Sequence, residues 1–88
     1  MEIEFDDAKN RKNVARGRPS FEQAKEFDFD SAYIVEDDDI DYGETRYRGI
    51  GLLGIRVVVL VWTMRGETVR VISLRHATKK ERKLYDEG

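Results

Sequence analysis

The stretch Ile55-Arg-Val-Val-Val-Leu-Val-Trp-Thr63, followed four residues later by Thr68-Val-Arg-Val-Ile-Ser-Leu-Arg-His76, decides the fold. The run Val57–Trp62 is apolar throughout and rich in β-branched residues. It is short for a buried helix and far short of the ~20 residues a membrane-spanning helix needs. It reads as a central strand covered on both faces. Arg65-Gly66 is a tight turn, and Glu67–Arg75 is the next strand. Upstream, Thr45–Leu52 pairs with Ile55–Thr63 as a hairpin turning near Leu53-Gly54.

Working outward, Ala32–Val35 and Glu2–Phe5 are two further short strands. Asp6 or Asp7 can cap a helix running to about Arg16, because a carboxylate accepts the free N–H groups of a first turn. Gly17 stops that helix. Ser20-Phe-Glu-Gln23 has the spacing of a capping box and predicts a second helix to about Phe29; Thr78-Lys-Lys-Glu81 predicts a third. The order β-α-α-β-β-β-β-α predicts one α+β domain over residues 1–88. It would be an antiparallel sheet of four to five strands with two N-terminal helices and one C-terminal helix.

Composition narrows the chemistry. The chain has 88 residues and no cysteine, so neither a disulfide nor a thiolate metal site can staple it. The opening Met1-Glu-Ile-Glu-Phe-Asp-Asp is acidic where a secretion signal is basic, so a soluble, cytoplasmic protein is expected, with no membrane contact. Net charge is −2, but it is unevenly spread. Glu26–Glu44 holds nine acidic residues and no Lys or Arg, whereas Thr45–Arg82 holds nine basic residues and two acidic ones. Both stretches can be solvated faces; the second can also be a surface for a polyanion.

Metal and nucleophile motifs are weak. His76 is the single histidine, and Asp37, Asp38, Asp39 and Asp41 lack the glycine and distal glutamate of a calcium loop, so no metal or cofactor is expected. A triad of Ser73, His76 and an aspartate can be drawn, but nothing puts Ser73 on a nucleophile elbow. Gly49-Ile-Gly51-Leu-Leu-Gly54 precedes no helix and is not a phosphate loop.

The basic residues carry more. Strict alternation would set Arg70 with Ile72 and Leu74 on one face, and Arg75 with Val69, Val71 and Ser73 on the other. An arginine among strand residues is costly unless it is paired or faces a cleft. One reading is a cross-strand ion pair; the other is a guanidinium fork aimed at phosphate. Arg65 lies in the adjoining turn. Lys79, Lys80 and Arg82 open the last helix, where N–H groups also favour anions. Lys9 and Arg16 can share a face of the first helix. Tyr85 can stack on a base or pack at a helix end.

Three segments also resemble the BrnT-type toxins. They are Asp6-x-x-Lys9-x-x-x-Asn13-x-x-Arg16 with Ser20-Phe21, then Glu44-x-Arg46-Tyr47-x-x-Ile50-Gly51. The third is Arg70-Val-Ile-Ser73-Leu-Arg75-His-Ala77-Thr78-x-x-Glu81-Arg82-x-x-Tyr85. The chain departs from the family where Arg16-Gly17-Arg18 replaces the usual Lys-His-Gly, so a first-helix histidine cannot serve as base here. The resemblance implies a RelE-like fold and a metal-independent endoribonuclease in which the RNA 2′-OH attacks the adjacent phosphate, inhibiting translation and growth. It also implies a neutralising ribbon-helix-helix antitoxin of the BrnA type, a heterotetramer of toxin and antitoxin, and operator DNA contacted through the antitoxin. On that reading Arg65, Arg70, Arg75 and Tyr85 are the catalytic candidates. Lys9, Arg16, Arg46, Lys79 and Arg82 are the RNA-binding ones. The base stays open among Tyr85, His76 and a carboxylate. Two other functions fit the same composition: a non-catalytic RNA-binding domain, and a structural domain whose acidic loop meets a partner protein.

Overall fold

The computed structural model describes residues 1–37 and 43–88; of the expected acidic loop Glu36–Tyr42, Glu36 and Asp37 belong to a strand instead, and the rest lies outside the described residues. The elements are β1 (Ile3–Glu4), α1 (Asp7–Ala15), a 3-10 segment (Phe21–Glu26), β2 (Tyr33–Asp37), β3 (Arg46–Leu53), β4 (Arg56–Arg65), β5 (Thr68–His76) and α2 (Lys79–Glu87). The α+β class is as expected. The sheet is not purely antiparallel, however. Its order is β1-β5-β4-β3-β2, and β1 runs parallel to β5 through Ile3 opposite Val69 and Glu4 opposite Arg70. A crossover through α1, the 3-10 segment and the β2–β4 meander separates the two strands, which is what a parallel neighbour requires.

The second N-terminal helix is also corrected. Ser20 caps the segment by accepting from the Glu22 N–H, and among the described residues Gln23 supplies no reciprocal arm. The segment is 3-10 because of what it must bury. Phe21, Ala24 and Phe27 are three apart, and three residues per turn stack them on one side. An α-helix would fan the same three positions over about 120° of its surface. Phe27 then leaves in extended conformation and bridges Leu53. Its ring lies on β3 because Gly49 and Gly51 carry no side chain: a Cβ on Gly51 would sit 2.8 Å from Phe27 Cζ.

These three residues seal one face of the sheet against Val58, Leu60, Trp62, Val69, Val71 and Leu74. Val58, Leu60 and Leu74 are fully buried. The opposite face buries Ile50, Val59 and Thr63 and is flanked by α2, which buries none of its own residues. The Thr78–Glu81 capping box of α2 has both arms in place. Among the described residues no helix is long and apolar enough to cross a membrane.

Candidate functional site

The site begins with an irregularity in β5. Val61 pairs with Ser73 but Trp62 pairs with Val71, so Ile72 is the extra residue of a β-bulge. A bulge reverses the alternation beyond it. Val69, Val71 and Leu74 therefore all enter the same core, and Arg70 and Arg75, expected on opposite faces, stand on the same one. Register extends that face across the sheet. Arg70 pairs with Thr63, which pairs with Arg46; Arg75 pairs with Val59; Arg48 pairs with Val61; and Arg65 pairs with Thr68. Arg46, Arg48, Arg65, Arg70 and Arg75 thus share the face that the 3-10 segment leaves uncovered.

α1 completes the site. Its sequence has no apolar stripe, and polar contacts fasten it instead. Asp6 Oδ1 accepts the Lys9 N–H at 3.0 Å and caps the helix, which lowers the Asp6 carboxyl below its usual range. The Asn13 side-chain amide is buried and donates to Leu74 O at 2.8 Å and Pro19 O at 3.0 Å, clamping α1 to the stretch of the β5 edge beyond its pairing with β1. Asn10 Oδ1 accepts the Phe21 N–H at 2.9 Å. The spaced Asp6, Lys9 and Asn13 of the sequence thus have distinct structural roles: cap, exposed cation and edge clamp.

Between α1 and the arginine face lies a cleft of about 200 Å³ lined by Lys9, Arg46, Arg65 and Arg70, with Asp6 and Glu44 at its wall. Thr63 forms part of the floor, its hydroxyl donating to Thr45 O at 2.7 Å. Glu4, brought beside Arg70 by the parallel strand, approaches its guanidinium at 3.8 Å, a loose pair that leaves the fork oriented but accessible. Such a cluster can hold a phosphate and stabilise added negative charge on it.

The other expected site residues lie elsewhere. Arg75 is engaged by Glu81 in a two-pronged pair at 2.7 and 2.8 Å, which joins β5 to α2 rather than strand to strand. That pair raises the Arg75 guanidinium and, as the largest cause, pulls the Glu81 carboxyl down to about 2. Glu81 accepts the Thr78 N–H as well, so one carboxylate both caps α2 and ties it down. The Tyr85 hydroxyl lies 3.4 Å from Ser31 Oγ, away from the cleft. Lys79 and Arg82 are exposed on α2, and Arg16 lies in a groove beside α1. Four of the nine candidates therefore meet in one place. Asp6, Glu44 and Thr63 were missed as cleft residues, although Glu44 two residues before Arg46 was a usable signal.

The family model described as the ribonuclease toxin, BrnT, of type II toxin-antitoxin systems matches residues 5–81. No curated protein matches the sequence.

Proposed function

The chain belongs to the BrnT family of ribonuclease toxins of type II toxin-antitoxin systems, and from that premise we propose that the arginine cleft cleaves RNA in the cytoplasm by attack of the RNA's own 2′-OH. The observation that carries the reading is the gathering of Lys9, Arg46, Arg65 and Arg70 around one phosphate-sized cleft. In such a reaction the 2′ oxygen bonds to phosphorus as the 5′ oxygen leaves, giving a cyclic phosphate and a 5′-hydroxyl end. Three things are needed: a proton acceptor, a proton donor and positive charge around the phosphorane. Arg65 and Arg70 supply the charge without a metal, since a guanidinium stays protonated. Of the two carboxylates at the wall, Asp6 is occupied as a helix cap and is a weak base, so Glu44 accepts the 2′ proton. Lys9 is the ammonium that lines the cleft and serves the leaving oxygen.

In this reading Arg75 acts on the reaction by fixing α2 through Glu81, and Tyr85, Lys79 and Arg82 on that helix meet RNA beyond the scissile bond. The domain is one RelE-like unit, and its RNA cleavage lowers translation and growth. A ribbon-helix-helix antitoxin of the BrnA type would cover the arginine face with acidic and apolar side chains. Dimerising through its DNA-binding part, it would give two toxins and two antitoxins, and it would carry the operator contacts.

The test is cleavage by the purified chain. Arg70→Ala should lower the rate about ten- to a hundredfold, the worth of one charge-assisted contact, with the melting temperature little changed. Glu44→Gln should lower the rate while RNA affinity holds, and a chelator should change nothing. Cleavage lost only in proportion to folded protein would overturn the site, and loss in chelator would overturn the metal-free chemistry.

A further inference from the structure

The arginine cleft is one end of a longer feature. Next to it, sharing Lys9 and Ile72, is a groove of about 200 Å³ lined by Lys12, Arg16 and Arg18. That groove shares Arg18 with a hollow of about 250 Å³, where Arg18, Gln23, Arg56 and His76 converge from four separate segments. His76 is opposite Val58, on the core side of β5, so the hollow lies past the end of the 3-10 cover and on the other side of the sheet from the cleft. The three depressions follow α1 around the edge of β5 from one face to the other. The cleft has Asp6 and Glu44 at its wall; among the described residues no carboxylate lines the groove or the hollow. Among the described residues, neither Arg56 nor His76 forms an ion pair.

We infer that this track binds single-stranded RNA and that the hollow at Arg18, Arg56 and His76 is an accessory phosphate site at its far end. This rests on the cleft being where RNA is cut. Cations repeated along a groove, without apolar anchor pockets between them, match the regular charge of a phosphodiester strand. A protein segment would need buried apolar anchors to bind with useful affinity, and Leu53 and Val58 at the hollow are already spent on the core. The Asn13 bonds to Leu74 O and Pro19 O fix the backbone of α1, on which Lys9, Lys12 and the C-cap Arg16 stand along the track. The nine residues of α1 span about 13 Å at 1.5 Å each, so cleft and hollow are too far apart for one phosphate and suited to successive ones.

The experiment uses the full chain and uncleavable 2′-O-methyl RNA, as a dodecamer and as a trimer, at two salt concentrations. Arg56→Ala should weaken dodecamer binding roughly three- to tenfold and reduce its salt slope by about 0.7, the single-strand value for one lost phosphate contact. Arg56→Glu should weaken it further. Trimer binding, confined to the cleft, should respond to Arg70→Ala and not to Arg56→Ala. Arg56 is exposed, so both variants should melt with the wild type. Wild-type dodecamer affinity in Arg56→Glu, or a dodecamer that binds no tighter than the trimer, overturns the track. So does a variant that keeps RNA affinity and loses antitoxin affinity, which would make the hollow a protein contact. A wild type that binds the dodecamer through Arg56 yet cleaves no RNA would leave the track standing and sink the cleavage reading instead.

Discussion

The two faces of the sheet are built from the same three long strands, β3, β4 and β5, and alternate residues of each strand go to opposite fates. On one face Val58, Leu60, Trp62, Val71 and Leu74 are sealed by the stacked Phe21, Ala24 and Phe27. On the other, Arg46, Arg48, Arg65, Arg70 and Arg75 stand around buried Val59 and Thr63, and the two helices beside them are held by polar groups, α1 through Asn13 and α2 through Glu81. The first face supplies the apolar burial that a small domain needs to fold. The second is left open, and a sheet that is already held from behind can tolerate that openness. Stability and chemistry are therefore separable by face, and on the open face the Arg75–Glu81 pair is the one contact whose charge is used to hold a helix.

The sharpest break of that comparison comes from the sealed face. Leu60→Ala empties a fully buried site and should cost about 2–5 kcal/mol. For a domain of this size that is a fall of roughly 10 °C or more in Tm, with RNA cleavage lost only as folded protein is lost. If Leu60→Ala lowered the rate per folded molecule as much as Arg70→Ala, the two faces would not be independent.

A smaller effect tests how the seal is made. A methyl group at Gly51 meets Phe27 Cζ at 2.8 Å and Ala32 Cβ at 2.9 Å, so Gly51→Ala should destabilise by about 1–3 kcal/mol through a displaced ring. Denaturant unfolding measures it. A neutral outcome would mean that Phe27 repacks freely and that the 3-10 geometry is not set by contact with β3.

The smallest effect concerns the ion pair that holds α2 to the open face. The Glu81 carboxyl is held at about 2 in the folded chain against an ordinary 4.5, chiefly by Arg75. A depressed folded value means the stabilisation is complete above pH ~4.5 and is lost as pH falls toward ~2. Both partners touch solvent, so about 1–2 kcal/mol is expected rather than the full value of the shift. Urea unfolding between pH 5 and 2 should show that loss in the wild type and a flatter curve in Glu81→Gln. Parallel curves would show that the pair contributes nothing to holding α2.

Much of the architecture was legible because its signals are local. The apolar run at Val57–Trp62, the glycine turns, the Asp6 cap and the Thr78–Glu81 box each depend on neighbours a few residues away, and each is present in the fold. Ser20–Gln23 misled for the opposite reason. Its cap spacing is as compatible with a 3-10 turn as with an α-helix, and the choice was made by the sheet beneath Phe21, Ala24 and Phe27. The parallel placement of β1 likewise follows from where Glu2–Glu4 finds a free edge, and no residue of β1 encodes that edge.

The sequence by itself determined that basic groups would concentrate on the later strands, around Arg46, Arg65, Arg70 and Arg75, because charge and strand periodicity are properties of the chain. Tertiary structure alone decided which of them meet. The extra residue Ile72 turned Arg70 and Arg75 to one face, Glu81 then withdrew Arg75 to hold a helix, and Asn13 clamped α1 so that Lys9 lines the same cleft as Arg70. A bulge, an ion pair and an edge clamp are contacts between distant segments, and their energies exist only once those segments are side by side.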